Sequence, residues 1–200
     1  MYALVEDNKI TKIINNPKAM IINDVQYPAK IFQLWSKDEL NAIGIYEVIT
    51  DSTNKKDEAY YINTNEEYNF AGNQVTRSWG TATPKELEDR NAIDEDGVEL
   101  DPVVIIEGLK TQKKKIVKQQ ASGLLEKTDW HNHKSLDDDT YTIPQNIKTF
   151  RANVRAKSNE METQIDACTN VDELKALYEY TEQEDGTITR PLAEFPKEVV

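Results

Sequence analysis

The apolar positions of this chain follow two regimes. Up to about residue 80 they alternate or bunch in short runs, and beyond residue 103 they recur at helical spacing. Met1–Val5 and Lys9–Ile14 flank Glu6-Asp7-Asn8, and an Asp-Asn pair between two apolar runs predicts a tight hairpin turn. A third extended piece runs through Met20-Ile21-Ile22, and a fourth, Val25–Phe32, is restricted to a sheet edge by Pro28. Ser36 with Glu39 predicts a capping box and a short helix to about Ile43. Gly44 closes that helix and Ile45–Ile49 returns as a strand. Residues 50–59 are polar and form a loop. Tyr60–Ile62, Tyr68–Phe70 and Gln74–Trp79, with a turn at Ala71-Gly72-Asn73, predict further short antiparallel strands.

Past Ala82 the pattern changes. Residues 83–102 carry Glu86, Glu88, Asp89, Asp94, Glu95, Asp96, Glu99 and Asp101 with little apolar content, which predicts an extended acidic linker. From Val103 to about Lys127, Ile105, Ile106, Leu109, Ile116, Val117, Ala121, Leu124 and Leu125 form an apolar stripe on a helix. A second helix opens after Pro144. Its stripe is Ile147, Phe150, Val154, Met161, Ile165 and Cys168, a heptad-like seam with one gap at Lys157-Ser158. A short third helix follows Asn170, with Val171, Leu174, Leu177 and Tyr178 facing inward. Residues 181–200 hold the turn signal Asp185-Gly186, then Pro191 and Pro196, and read as a tail docked in extended form. The expected architecture is therefore α+β. A small antiparallel β-rich unit (1–82) precedes the acidic linker (83–102), a helical hairpin with a short third helix (103–180), and the tail.

Composition narrows the function classes. An apolar fraction of 38% with 8% aromatics suffices for one modest core or two thin ones, and argues against a large catalytic domain. The net charge of −12 repels phosphate backbones and makes nucleic acid a poor partner. With Cys168 the only cysteine, no intramolecular disulfide forms, which fits folding in a reducing cytoplasm. Met1–Val5 runs straight into Glu6-Asp7, so neither a leader nor a membrane span is expected.

Several clusters invite a chemical reading. Lys110, Lys113, Lys114, Lys115 and Lys118 crowd one helix, with 110, 114 and 118 in one row. Without interleaved aromatics for base stacking, they read as a solvated face that balances acids elsewhere. Trp130-His131-Asn132-His133 precedes Asp137-Asp138-Asp139, and histidines at i and i+2 converge on a metal only in a loop. We expect exposed loop residues there and no metal. Asp94-Glu95-Asp96-Gly97 lacks the carboxylates that a calcium loop needs at its first and twelfth places, which are Ala92 and Val103 here. No nucleophile is paired with a base and no glycine-rich phosphate loop occurs, so neither enzymatic activity nor a cofactor is expected.

One string stands apart. Leu124-Leu125-Glu126-Lys127-Thr128-Asp129-Trp130 is followed by Phe150-Arg151-Ala152-Asn153-Val154-Arg155. Thr128 or Asp129 can turn the chain through a side-chain hydrogen bond. Trp130 can then lay its ring on the second helix, while Arg151 and Arg155, one turn apart, can hold Asp129 or one of Asp137–Asp139. The pattern resembles phage tail assembly chaperones and related modules at the ends of tail-fibre proteins. In these, a helix ends in Leu-Leu-x-x-Thr-Asp-Trp, and a loop leads to an aromatic-Arg-x-x-apolar-Arg helix. The likeness covers roughly residues 105–180, and the opening Met1–Glu6 through Tyr27-Pro28 is similar to β units that precede such modules. It departs at Phe150, where tyrosine is usual, and in a loop that carries three aspartates and a late proline, Pro144. The resemblance implies a non-enzymatic tail protein that binds a fibre or baseplate subunit in the host cytoplasm during assembly. The binding or hairpin-stapling residues would be Leu125, Thr128, Asp129, Trp130, Phe150, Arg151 and Arg155. The alternative is a structural component of the virion tail, with self-association open to it.

Overall fold

A computed structural model describes residues 1–198 and has the α+β composition expected. The chain divides into two units, Met1–Thr83 and Pro84–Val200.

Two tight hairpin turns open the first unit. β1 (Tyr2–Glu6) and β2 (Lys9–Ile14) pair antiparallel across Asp7-Asn8, and β3 (Met20–Ile22) and β4 (Val25–Tyr27) pair across Asn23-Asp24. Both residues of each turn have positive φ, the conformation that matches the twist of the strands and that Asn and Asp tolerate. Two short helices follow, α1 (Ile31–Leu34) and α2 (Lys37–Ala42). The Ser36 hydroxyl accepts from the Glu39 N–H while the Glu39 carboxylate accepts from the Ser36 N–H, so the capping box is complete. Gly44 then turns at φ +84, where an added Cβ would lie 2.6 Å from the Val5 carbonyl oxygen.

β5 (Ile45–Thr50), β6 (Tyr61–Ile62), β7 (Glu66–Ala71) and β8 (Gln74–Trp79) complete the strands of this unit's main body. The curled sheet has the order β2-β1-β5-β8-β7. One pairing corrects the all-antiparallel expectation. β5 and β8 run parallel, with Val48 opposite Val75, because β6 and β7 intervene and return the chain in the same direction. β1 lies inside the sheet, and its alternation serves both faces. Leu4 joins Ile14, Ile22, Ile31, Phe32, Leu40 and Ile45 on one side, while Ala3 and Val5 join Val48 and Val75 on the other.

The second unit begins with the acidic stretch, which is not the extended linker that its charge suggested. The Leu109 and Lys110 N–H groups donate to the carbonyls of Glu86 and Leu87. β9 (Arg90–Asn91) pairs antiparallel with β10 (Ile105–Ile106). Ala92 donates to Val104 and its carbonyl accepts from Leu100, so residues 90–94 pair with a single returning run, 98–106, from which residues 101–103 loop out. The Asp94–Gly97 turn joins the two runs, and the Asp94 carboxylate accepts from the Asp96 and Val98 N–H groups.

Four helices follow: α3 (Leu109–Glu126), α4 (Asp129–Asp137), α5 (Gln145–Ala167) and α6 (Val171–Ala176). α3 starts six residues later than its apolar stripe implied, since Ile105 and Ile106 are strand residues and exposed. Leu109, Val117 and Ala121 are its buried apolar positions, and Ile116 is exposed. α5 buries all of Ile147, Phe150, Val154, Met161 and Ile165, with Cys168 just beyond its end. The gap in its seam is filled by Ser158, which is itself buried and sits between Val154 and Met161 at helical spacing. Residues 181–189 form the small hairpin β11 (Thr181–Glu182) and β12 (Ile188–Thr189). Beyond it Leu192 is buried and donates its N–H to the Leu177 carbonyl. The Gln164 amide brackets this segment, donating to the Pro191 carbonyl and accepting from the Ala193 N–H.

Candidate functional site

The motif residues meet where α3 ends and α5 passes it. Leu125 is the penultimate residue of α3, Thr128 precedes α4, and Asp129 and Trp130 open α4. Phe150, Arg151 and Arg155 lie on the first half of α5. Phe150 and Val154 pack with Ala121, against partly buried Leu124, Leu125 and Phe195, to make the local core.

A single buried guanidinium holds the corner together. Arg151 Nη1 donates to the Leu125 carbonyl at 2.8 Å and to Thr128 Oγ1 at 2.7 Å, and Nη2 pairs with the Asp129 carboxylate at 2.7 Å. Thr128 Oγ1 in turn donates to the Leu125 carbonyl at 2.9 Å. The last turn of α3 has carbonyls without intrahelical partners, and here a charged donor and a hydroxyl satisfy one of them. The planar fork of arginine suits it to reach three acceptors at once. Of the partners open to the two arginines, Asp129 or one of Asp137–Asp139, it is Asp129 that is held, and by Arg151. Arg155 engages no acid among the described residues, is exposed, and reaches only the Arg151 carbonyl, at 3.5 Å. Its place in the motif is thus not part of this network.

Trp130 corrects the expectation most directly. Its ring does not pin α3 to α5, and the residue stays 54% exposed. The helices are joined through Arg151 and the Phe150–Val154 core, so the indole is released for another use. The expected loop at 130–133 is helical, being the first turns of α4. Trp130 stacks on the His131 ring at a centroid distance of 3.7 Å and lies 6.2 Å from that of Tyr141. His131 is buried, and its Nδ1 faces the Tyr141 hydroxyl in a close hydrogen bond. Lys134 Nζ sits over the Tyr141 ring at 4.4 Å. The Trp130–His131–Tyr141 stack was not foreseen, because nothing in the sequence marks Tyr141, ten residues on, as the partner of His131.

On α4 the two histidines diverge, as i and i+2 on a helix must, and His133 is exposed. Among the described residues no group of three His, Cys, Asp or Glu side chains converges as a metal site would require. Asp138 turns the chain out of α4, and the hydroxyl of Thr140, followed by its backbone N–H, holds the Asp138 carboxyl below the usual carboxylate range. Burial pushes the Cys168 thiol up, which leaves it a poor nucleophile at neutral pH.

The lysine row is engaged with carboxylates. Lys110 Nζ reaches Glu88 at 2.6 Å and the Asp166 carbonyl at 3.1 Å, Lys114 pairs with Asp166 at 2.7 Å, and Lys118 with Glu162 at 3.2 Å. These contacts bind α3 to α5 and to the acidic stretch. Lys113 lies over the Tyr178 ring, and Lys115 pairs with Glu107. Asp89 caps the entry to α3 from outside the helix, accepting from the Gly108 N–H and the Thr111 hydroxyl, while the Glu86 and Leu87 carbonyls take the first helical N–H groups. Among the described residues no helix is long and apolar enough to cross a membrane.

No family model, curated protein or solved structure matches this chain.

Proposed function

We propose that this chain is a non-enzymatic bacteriophage tail protein that assists tail-fibre assembly by binding a fibre subunit through its helical module. The observation that carries the reading is the half-exposed Trp130 on a helix whose start is fixed by the Arg151 network. A large, rigid aromatic ring on a pre-ordered frame is the kind of residue that dominates protein interfaces. Thr128, Asp129 and Arg151 then serve as positioning residues, and Leu125 and Phe150 as the apolar floor beneath them. Folding trimeric fibres expose apolar strand edges before they close, and an acidic binder in the host cytoplasm can keep such intermediates soluble.

Co-expression with the tail-fibre subunit of the same phage tests the reading. The wild-type chain should raise the yield of soluble, trimeric fibre, and Trp130→Ala should abolish most of that gain while the chain itself stays folded. Equal fibre yields with and without the chain would overturn it. Stoichiometric presence in purified virions would instead assign the chain to the tail structure.

A further inference from the structure

Residues 93–106 expose an apolar surface that the Trp130 site does not use. Ile93, Val98, Val103, Val104, Ile105 and Ile106 all stand exposed, with Ile105 at 61% and Val98 at 61%. Consecutive strand residues point to opposite faces, so the exposure of both Ile105 and Ile106 means that neither face of this small sheet is covered there. Single exposed apolar residues are ordinary, but a contiguous cluster of this kind marks an interaction surface.

The backbone points the same way. Among the described residues β10 has β9 as its only strand neighbour, so its other edge is open. Ala92 donates to Val104, and Arg90 stands opposite Ile106, so alternate residues 104 and 106 face β9. Ile105 therefore turns its N–H and C=O groups outward. An open edge lined by branched apolar residues, with no lysine in it and proline only ahead of it at Pro102, is a template for one more strand.

Charge selects the occupant. Glu95, Asp96, Glu99 and Asp101 border the strip and form no ion pair among the described residues. By contrast, Asp89, Asp94, Glu88 and Glu107 nearby are engaged in caps, turns and salt bridges. A second copy pairing edge to edge would bring the same carboxylates together on chains of net charge −12, which disfavours self-association. We infer that the Val104–Ile106 edge accepts an extended, basic-apolar β-strand from a partner protein, seated by backbone hydrogen bonds and by the uncommitted carboxylates around it. This inference rests on residues 90–106 alone and stands or falls separately from the Trp130 surface.

The test uses the whole chain and three labelled synthetic peptides: alternating valine and lysine, alternating valine and glutamate, and the valine–lysine peptide interrupted by proline. Fluorescence anisotropy should show binding of the first only. Ile105→Lys, and separately Glu95→Lys with Glu99→Lys, should each weaken it about tenfold, and Trp130→Ala should leave it unchanged. The Ile105 amide should exchange with solvent at least about tenfold more slowly when the peptide is bound, since exchange requires the new backbone bond to open. Both charge variants are on exposed positions, and unchanged thermal melting checks their folding. Failure of the valine–lysine peptide to bind, binding without protection at Ile105, or equal binding of all three peptides would each overturn the inference. So would a concentration-dependent dimer protected at Ile105 without peptide, which would make a second copy the occupant.

Discussion

Arg151 donates to the Thr128 hydroxyl at 2.7 Å, a buried hydrogen bond between residues 23 positions apart. The same hydroxyl donates its own hydrogen bond to the Leu125 carbonyl, so one oxygen serves as acceptor and donor at once. Thr128→Val keeps the shape and removes both roles, leaving a buried guanidinium N–H short of a partner. It should destabilise the second unit by about 1–3 kcal/mol, and Arg151→Ala by at least as much, because the Thr128 hydroxyl and the Leu125 carbonyl both lose their charged donor. Chemical denaturation of the single and double variants should give strong coupling between them. Additive effects would show that the bond contributes little.

Trp130 and Phe150 should behave oppositely. Phe150 is buried against Ala121 and Val154, and Phe150→Ala should cost about 3–5 kcal/mol. Trp130→Ala removes a larger ring from a half-exposed site and should cost less than about 1 kcal/mol. Thermal or urea melts of the two variants check the ordering, and the reverse order would return the indole to a stapling role.

Gly108 permits the entry to α3. Its φ is ordinary for any residue, yet a Cβ there would lie 2.4 Å from backbone atoms of Leu87 and Glu88. Gly108→Ala must therefore push the acidic stretch away and break the Asp89 cap. We expect a loss of about 1–3 kcal/mol, read as a lower melting temperature and faster amide exchange at Leu109 and Lys110.

Asp89 also sets an acid limit. The Gly108 N–H, and next the Thr111 hydroxyl, hold its carboxyl below the ordinary carboxylate value. With the folded pKa below the unfolded one, its contribution is complete above the unfolded value of about 3.9 and is lost as pH falls through the folded value. Asp51, Asp138 and Asp185 follow the same rule, each held low by a threonine hydroxyl two residues on. Stability measured from neutral pH downward should stay level and then fall in the acid range, and Asp89→Asn should reduce that fall. An unaltered acid profile in the variant would remove the cap from the account.

The sequence carried the local signals well. Asp7-Asn8, the Ser36–Glu39 box, Gly44 and the seam of α5 are encoded within a few residues of where they act, and each stands where the pattern placed it. The larger departures depend on partners distant along the chain. The charge of residues 83–102 announced a solvated linker, because Asp89 and Glu88 find Thr111 and Lys110 only once α3 has folded back. The indole looked like the staple because large aromatics usually are, whereas a guanidinium from α5 occupies that position. The seam gap misled in the other direction, since Ser158 is polar by letter and buried in fact.

The dependence of α3 on Asp89 and on the Glu86 and Leu87 carbonyls changes where this protein can be cut. A fragment begun at Val103, the boundary that hydropathy recommends, would carry every apolar residue of the helical bundle and none of the groups that start its first helix. Its opening turn would fray, and Lys110 would lose its Glu88 counter-ion at a position that is otherwise nearly dry. A workable fragment has to begin by Pro84, so the acidic stretch travels with the helices as the piece that launches them.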